Sequence, residues 1–242
     1  VTKKPTQKEE ETLIITLDGP SGSGKSTISH LIAQHFQVPC LDTGAMYRTV
    51  ALLCLNRGIS LEDESKVLEV AQGIEFRFSY LPSGDSLIES SIDGKTWSRV
   101  GKEIRTPEVS LAASQIAKMR EVRAALVAQQ QRIGRAQGAV VEGRDAGTVI
   151  FPQAPYKFFM TASVEARAQR RYLELKDKLG AEAPSLESVQ KEMIQRDEQD
   201  SGRAESPLKP ADDAQYLDTT GLSLNEVFQN LVTQIEARRR LH

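Results

Sequence analysis

The sequence is poor in the residues that mark several large protein classes. Two cysteines in 242 residues, Cys40 and Cys54, stand in no metal-ligating spacing, which argues against a disulfide framework. Both read as small buried apolar side chains in a reducing, cytoplasmic setting. Aromatic residues make up 5% of the chain, too few for a platform on which single-stranded bases stack. A basic surplus is missing as well. Lys and Arg total 31 against 33 Asp and Glu, a net charge of -2, so no nucleic acid polymer is expected as partner. No apolar run approaches the roughly 18 residues of a membrane span, and no signal peptide is visible. The three histidines, His30, His35 and His242, form no ligand set.

What remains is ample for a packed core: 39% of the residues are hydrophobic. Residues 1–12 are polar and read as a disordered tail without an assignable function. Leu13 to Leu17 reads as a strand buried on both faces, followed by a Gly-rich turn and a helix over 25–36. A strand over 38–41 and a helix over 44–56 come next. From 74 to 104 the texture changes to strand-like pieces, IEFRFSY and SLIESSI, joined by Pro-Ser-Gly-Asp and Asp93-Gly94 turn signals. Helical pattern resumes over 107–136. Strands over 139–142, 157–160 and 216–218 alternate with helices over 163–179, 186–199 and 224–240. The alternation predicts an α/β fold, a doubly wound parallel sheet of about five strands flanked by helices. Residues 13–73 and 105–242 form the core in this reading, and 74–104 a small β-containing insertion.

Gly19-Pro20-Ser21-Gly22-Ser23-Gly24-Lys25-Ser26-Thr27 satisfies the phosphate-loop pattern G-x-x-x-x-G-K-[ST]. Its glycines let successive backbone N–H groups wrap an anionic phosphate, and the helix that follows adds the positive end of its dipole. Lys25, expected on a solvent-facing loop, would reach the β- and γ-phosphates of ATP, and Ser26 would ligate magnesium. Phosphoryl transfer between two anions needs further cations, for which arginine's planar, permanently charged fork is suited. Arg48, Arg144, Arg196 and Arg203 are the candidates, in loops expected at the C-terminal ends of the strands. Arg167, Arg170 and Arg171 lie on one helix. A mobile lid over about 167–203 is expected, because transfer must exclude water.

LDGPSGSGKST, LDTGAMYR (41–48), IRTPEVSLAASQIA (104–117), VVEGRDAGTVIFP (140–152), RAESPLKPADDA (203–214) and LDTTGLS (217–223) resemble, in order, the blocks of the bacterial-type cytidylate kinases. The resemblance spans residues 13 to 240. It implies a P-loop nucleoside monophosphate kinase that uses ATP and Mg²⁺ to phosphorylate CMP, and dCMP as well, working as a cytoplasmic monomer. It makes the 74–104 insertion an acceptor-side subdomain. By the same resemblance Lys25, Arg144, Arg196 and Arg203 are the catalytic cations, and Gly19, Ser21, Gly22, Ser23, Gly24, Ser26 and Thr27 bind the ATP phosphates. Arg167 and Arg171, with Arg170, form the lid on the donor. Thr43, Tyr47, Arg48, Arg144, Arg196, Asp200 and Arg203 bind the acceptor's sugar and phosphate, with Asp200 as the ribose contact. Ser114, Arg123 and Asp145 read cytosine. The last assignment makes chemical sense unaided: cytosine donates from an amine and accepts at a ring nitrogen and carbonyl, matching a carboxylate plus a guanidinium. Uracil reverses two of those groups. The segment RDEQDSGR is poorer in arginine than that family's, and Ala146 stands where a larger apolar residue is usual. Glu142 is a further candidate for holding a magnesium-bound water. A kinase for another small acceptor and a nucleotide-switched binding module are the alternatives, and they differ in whether ADP release depends on CMP.

Overall fold

The computed structural model of the chain describes residues 12–81, 83 and 85–240, so most of the expected N-terminal tail lies outside the described residues. In chain order the elements are β1 (Ile14–Asp18), α1 (Lys25–Phe36), β2 (Cys40–Asp42), α2 (Thr43–Asn56), α3 (Glu64–Gly73), β3 (Glu75–Tyr80), β4 (Ser86–Ser91) and β5 (Ser98–Arg99). Then follow α4 (Pro107–Ile116), α5 (Arg120–Gln137), β6 (Ala139–Gly143), β7 (Tyr156–Thr161), α6 (Val164–Leu179), α7 (Leu186–Ser201), β8 (Gln215–Asp218) and α8 (Leu224–Arg239).

A strand without polar alternation cannot face water on either side, and β1 and β6 are buried at every position. They sit at the middle of a five-stranded, wholly parallel sheet in the order β2-β6-β1-β7-β8. The expected fold class is therefore present. Side chains alternate between its two faces. Ile15 and Leu17 join Val140, Phe158 and Met160 in a core closed by α1 and α8. Ile14, Ala139 and Val141 face the larger core built by α2, α3, α4 and α5. Phe76 and Phe78 of β3 belong to that same larger core, so the three-stranded antiparallel sheet β3-β4-β5 is packed onto the parallel one.

Three boundaries differ from expectation, each for a local reason. The second strand begins at Cys40 rather than 38, because Pro39 has no N–H to give the ladder and only its carbonyl bonds, to Val140. The helix expected over 107–136 is two helices. Met119 takes an extended conformation that redirects the chain, and no Gly or Pro marks the break. The helix α3 was not anticipated, although Asp63 caps it through Lys66 N–H at 3.1 Å and buries Val67, Val70 and Ala71.

The phosphate-loop pattern occupies the turn between β1 and α1, and two of its glycines test the geometry differently. Gly19 has φ +145° and a Cβ there would lie 1.9 Å from the Met160 carbonyl oxygen on the adjacent strand. Gly24 has φ +90° with open space around it. Gly24→Ala should cost about 1 kcal/mol from backbone strain alone. Gly19→Ala adds a backbone clash and should cost about 3 kcal/mol or more. Denaturant midpoints of the two variants check the ranking, and equal losses would contradict the close approach of Gly19 to β7.

Candidate active site

The register of the sheet sets where charge collects. Asp42 of β2 lies opposite Glu142 of β6, and Asp18 of β1 lies opposite Gly143, so three carboxylates end three neighbouring strands at the same edge. That edge is the C-terminal one, where parallel α/β sheets open their ligand crevice. The pleat divides the three: Asp42 and Glu142 share the face of α1, whereas Asp18 points to the opposite face.

The loop from Gly19 to Thr27 is held by its carbonyls. Pro20 O accepts from Lys25 Nζ at 2.6 Å and from Ser23 Oγ at 3.1 Å. Ser21 O accepts from Arg167 Nη1 at 3.0 Å, and Ser23 O from Thr219 Oγ1 at 3.1 Å. Three of the loop's carbonyls are thus engaged, one from within and two from outside, in a Gly-rich turn of the kind whose backbone N–H groups form an anion-binding nest. Gly22 lets α7 approach the loop: a Cβ at that position would meet Met193 Cε at 2.6 Å. Met193 packs with Val189 and Ala168 in a small core between α6 and α7.

Lys25 is buried, with 3% of its surface exposed, and does not stand on a solvent-facing loop as expected. It is the first residue of α1, and its ammonium closes the loop from within. Burial first, and Arg144 next, bring its pKa down from 10.5 to about 7, against the pull of Glu142 and Asp18. Ser26 Oγ donates to Glu142 Oε1 at 2.6 Å, while Glu142 Oε2 is buried without a partner. Burial, then the nearby Asp42, raise the Glu142 carboxyl. One hydroxyl and one half-engaged carboxylate beside a phosphate nest fit Mg²⁺, which takes one or two protein oxygens and fills its octahedron with phosphate and water. Among the described residues no cluster of three His, Cys, Asp or Glu could hold a metal by itself.

Across the crevice stand the arginines. Arg48 Nη2 donates to Asp42 Oδ2 at 2.9 Å, and Arg105 approaches the same oxygen at 3.8 Å. Arg144 Nε donates to Asp200 Oδ2 at 2.8 Å, and Arg203 pairs with Asp200 Oδ1. Asp200 is buried, yet Arg144 and Arg203 hold its carboxyl below the usual range. Arg196 feels the charges of Arg144, Arg48 and Arg203. Burial, followed by Arg144, lowers its pKa to about 10, and its Nε is buried without a partner.

Arg123 and Asp145 meet as a buried ion pair although they come from separate blocks of sequence. Arg123 also donates to Ala117 O at 3.2 Å and lies 5.6 Å from the centre of the Tyr47 ring. Burial raises the Asp145 carboxyl, against Arg123, Ser206, Arg203 and Arg144. Thr43 Oγ1 donates to Glu142 O at 2.8 Å, and Ser114 is half-buried on α4, the helix packed against α2.

The arginines of α6 separate. Arg167 is buried, bonded to Ala162 O and Ser21 O and paired with Asp197 at 2.7 Å, so it ties α6 and α7 to the loop. Arg170 donates to the Thr219 carbonyl and hydroxyl. Arg171 is exposed and paired with Glu174, away from the others. Asp18, Asp42, Asp197 and Thr219 were missed by the sequence reading. A lone carboxylate ending the apolar run Ile14–Leu17 was the available signal for Asp18; for Asp197 and Thr219, whose partners are remote in sequence, no signal existed.

The family model for cytidylate kinase matches residues 15–237. A cytidylate kinase of Shewanella denitrificans is 43% identical over 228 residues, covering 94% of this chain and 98% of its own. One of Pseudomonas fluorescens is 43% identical over 225 residues, covering 93% and 96%. One of Geobacter is 38% identical over 229 residues, covering 95% of each.

The burial of Lys25 gives a stability prediction. Below about pH 7 its ammonium is charged in folded and unfolded chains alike, and the cost of burying it is fully present. As pH rises toward 10.5 the folded chain sheds the proton first, and that cost fades. Lys25→Met should therefore melt at the same temperature as the unmodified chain or higher at neutral pH, with an advantage that shrinks toward pH 10. A variant that melts many degrees lower at pH 7 would contradict this.

Proposed function

The chain belongs to the cytidylate kinase family, and from that premise we propose how its residues move the γ-phosphoryl group of ATP to CMP. ATP is the donor and Mg²⁺ the cofactor. The nest over Gly19, Ser21, Gly22, Ser23, Gly24, Lys25, Ser26 and Thr27 takes the donor phosphates. Ser26, with Glu142 behind it, would hold the metal, which supplies charge neutralisation at the donor phosphates. The acceptor oxygen is already an anion, so no general base is required, and catalysis is positioning plus cationic stabilisation. Lys25 faces the transferring group from one side, and Arg144, Arg196 and Arg203 from the other. The observation that carries this reading is the convergence of three arginines, two of them bridged by Asp200, on the strand edge that bears the phosphate nest.

For the acceptor, Thr43 and Arg48 with the three arginines take its phosphate, Asp200 its ribose, and Ser114, Arg123 and Asp145 its base beside Tyr47. The insertion 74–104 is the acceptor-side subdomain and about 167–203 the lid. Arg167 works in the lid as a staple on the phosphate loop, whereas Arg171 reaches the donor only if its pair with Glu174 opens. dCMP is a second acceptor. Two buried free cysteines support a cytoplasmic setting, and we propose a monomer.

ADP release measured with CMP, UMP, AMP and no acceptor tests the function. CMP should accelerate release by far the most; release independent of any acceptor would instead favour a nucleotide-switched module. Asp145→Asn tests the base site. An amide both accepts and donates, so kcat/KM for CMP should fall while the penalty against UMP shrinks, within a range of discrimination that reaches about 10⁴ to 10⁵ in hydrogen-bonded sites. Breaking a buried ion pair also destabilises, by about 3–5 kcal/mol, so melting curves accompany the assay. Equal losses with both nucleotides would make Asp145 a structural residue only.

A further inference from the structure

Asp18 is buried at the end of β1, on the sheet face away from Lys25's helix, and touches no phosphate-loop atom by hydrogen bond. Its two carboxylate oxygens are both used. Oδ1 accepts from Ala146 N–H at 2.8 Å and Oδ2 from Gly147 N–H at 2.7 Å. Those two N–H groups open the π-helical turn Ala146–Ile150, whose first carbonyl acceptor is Asp145 O, bonded by Val149 and Ile150 N–H. Asp18 therefore caps the turn from a neighbouring strand, and the capped turn begins one residue after Asp145 and two after Arg144. No side chain of the turn itself does this: Asp145, in the position before it, gives its own carboxylate to Arg123.

The approach leaves no room for adjustment. Gly147 has no Cβ, and one built there would lie 3.0 Å from Thr16 Oγ1, 3.3 Å from Lys157 Cδ and 3.4 Å from Asp18 Oδ2. Lys157 is itself pinned, by Asp213 at 2.7 and 2.8 Å. On the other side Gly143 brings β6 to within 3.5 Å of Asp18 Oδ1 by the same measure. The segment that carries Arg144 and Asp145 is thus clamped between β1 and its own strand. The residue after Asp18 is Gly19, where the phosphate loop starts.

We propose that Asp18 is a positioning residue for acceptor recognition: by holding the Ala146 and Gly147 amides it fixes Asp145, and so the choice between cytosine and uracil. This rests on the assignment of Asp145 to the base. A carboxylate is required, because only a side chain with two acceptors satisfies two parallel N–H donors. Asn presents its own amide hydrogens to one of them. A displacement of about 1 Å in a positioned group can reduce rate by about 10²-fold, so a small shift of the turn suffices.

Asp18→Asn, nearly equal in volume, is the test, with steady-state kinetics for CMP, UMP and ATP. The KM for CMP should rise about tenfold or more and the CMP-to-UMP ratio of kcat/KM fall at least about tenfold, while the KM for ATP stays within about twofold. Asp18→Ala, which removes both acceptors without adding a donor, should move the ratio the same way. A ratio left unchanged, or KM values for CMP and ATP that rise together, overturns the proposal. In the unmutated chain the Ala146 and Gly147 amides should exchange slowly with solvent before any nucleotide is added; rapid exchange also overturns it, whatever the variants do. The CMP dependence of the unmutated chain is measured alongside, and its absence would refute the kinase reading itself rather than the role of Asp18.

Discussion

Like charge held at close quarters is the constraint on which this molecule turns. Lys25, Arg144 and Arg196 are all largely buried; Arg144 lowers the proton affinity of Lys25 and of Arg196, and Arg196 that of Lys25. Arg48 and Arg203 add to the same field at Arg196. Carboxylates compensate in part. Asp200 serves Arg144 and Arg203, Asp42 serves Arg48, and Glu142 faces Lys25. Arg196 keeps a buried Nε–H without a partner, and carbonyls of the phosphate loop are engaged by side chains. Anionic substrates such as those of the cytidylate kinase family suit this arrangement, because oriented cations stabilise charge moving between phosphates.

The sheet makes that concentration possible. Parallel strands with near-continuous apolar sequence bury their length and leave function to their ends. Because Asp42 pairs with Glu142 and Asp18 with Gly143, three strands deliver acidic residues to one line, and the pleat sends them to different faces. On one face Glu142 meets Ser26 of the phosphate loop; on the other, Asp18 meets the turn that follows Asp145.

How much of this was legible in the sequence depends on whether the cause was local. The phosphate loop, the helix over 25–36 and the buried strands follow from glycine freedom and from runs such as Ile14–Leu17, so they could be read directly. The arginines and Asp145 could be named by motif blocks but not paired, since Arg123 and Asp145, or Arg144 and Asp200, are joined only by the fold. Lys25 reads as solvent-facing in the sequence because the segments packed on its loop, with Met193 and Arg167 over Gly22, lie far along the chain. Arg167 and Arg171 illustrate the same limit. They are equivalent as letters on one helix, yet one is buried against Ser21 O and Asp197 and the other lies paired on the surface.

The claim that crowded cations await a phosphate is tested most directly by comparing CMP with cytidine as stabilisers. The two share base and sugar and differ only in the anion. Melting temperatures at equal ligand concentration and low salt should rise by several degrees with CMP and barely move with cytidine, because ligand binding to the folded chain stabilises by mass action. Arg196→Ala should remove most of the difference. Equal shifts with CMP and cytidine, or a CMP shift untouched by the loss of Arg196, would contradict the account.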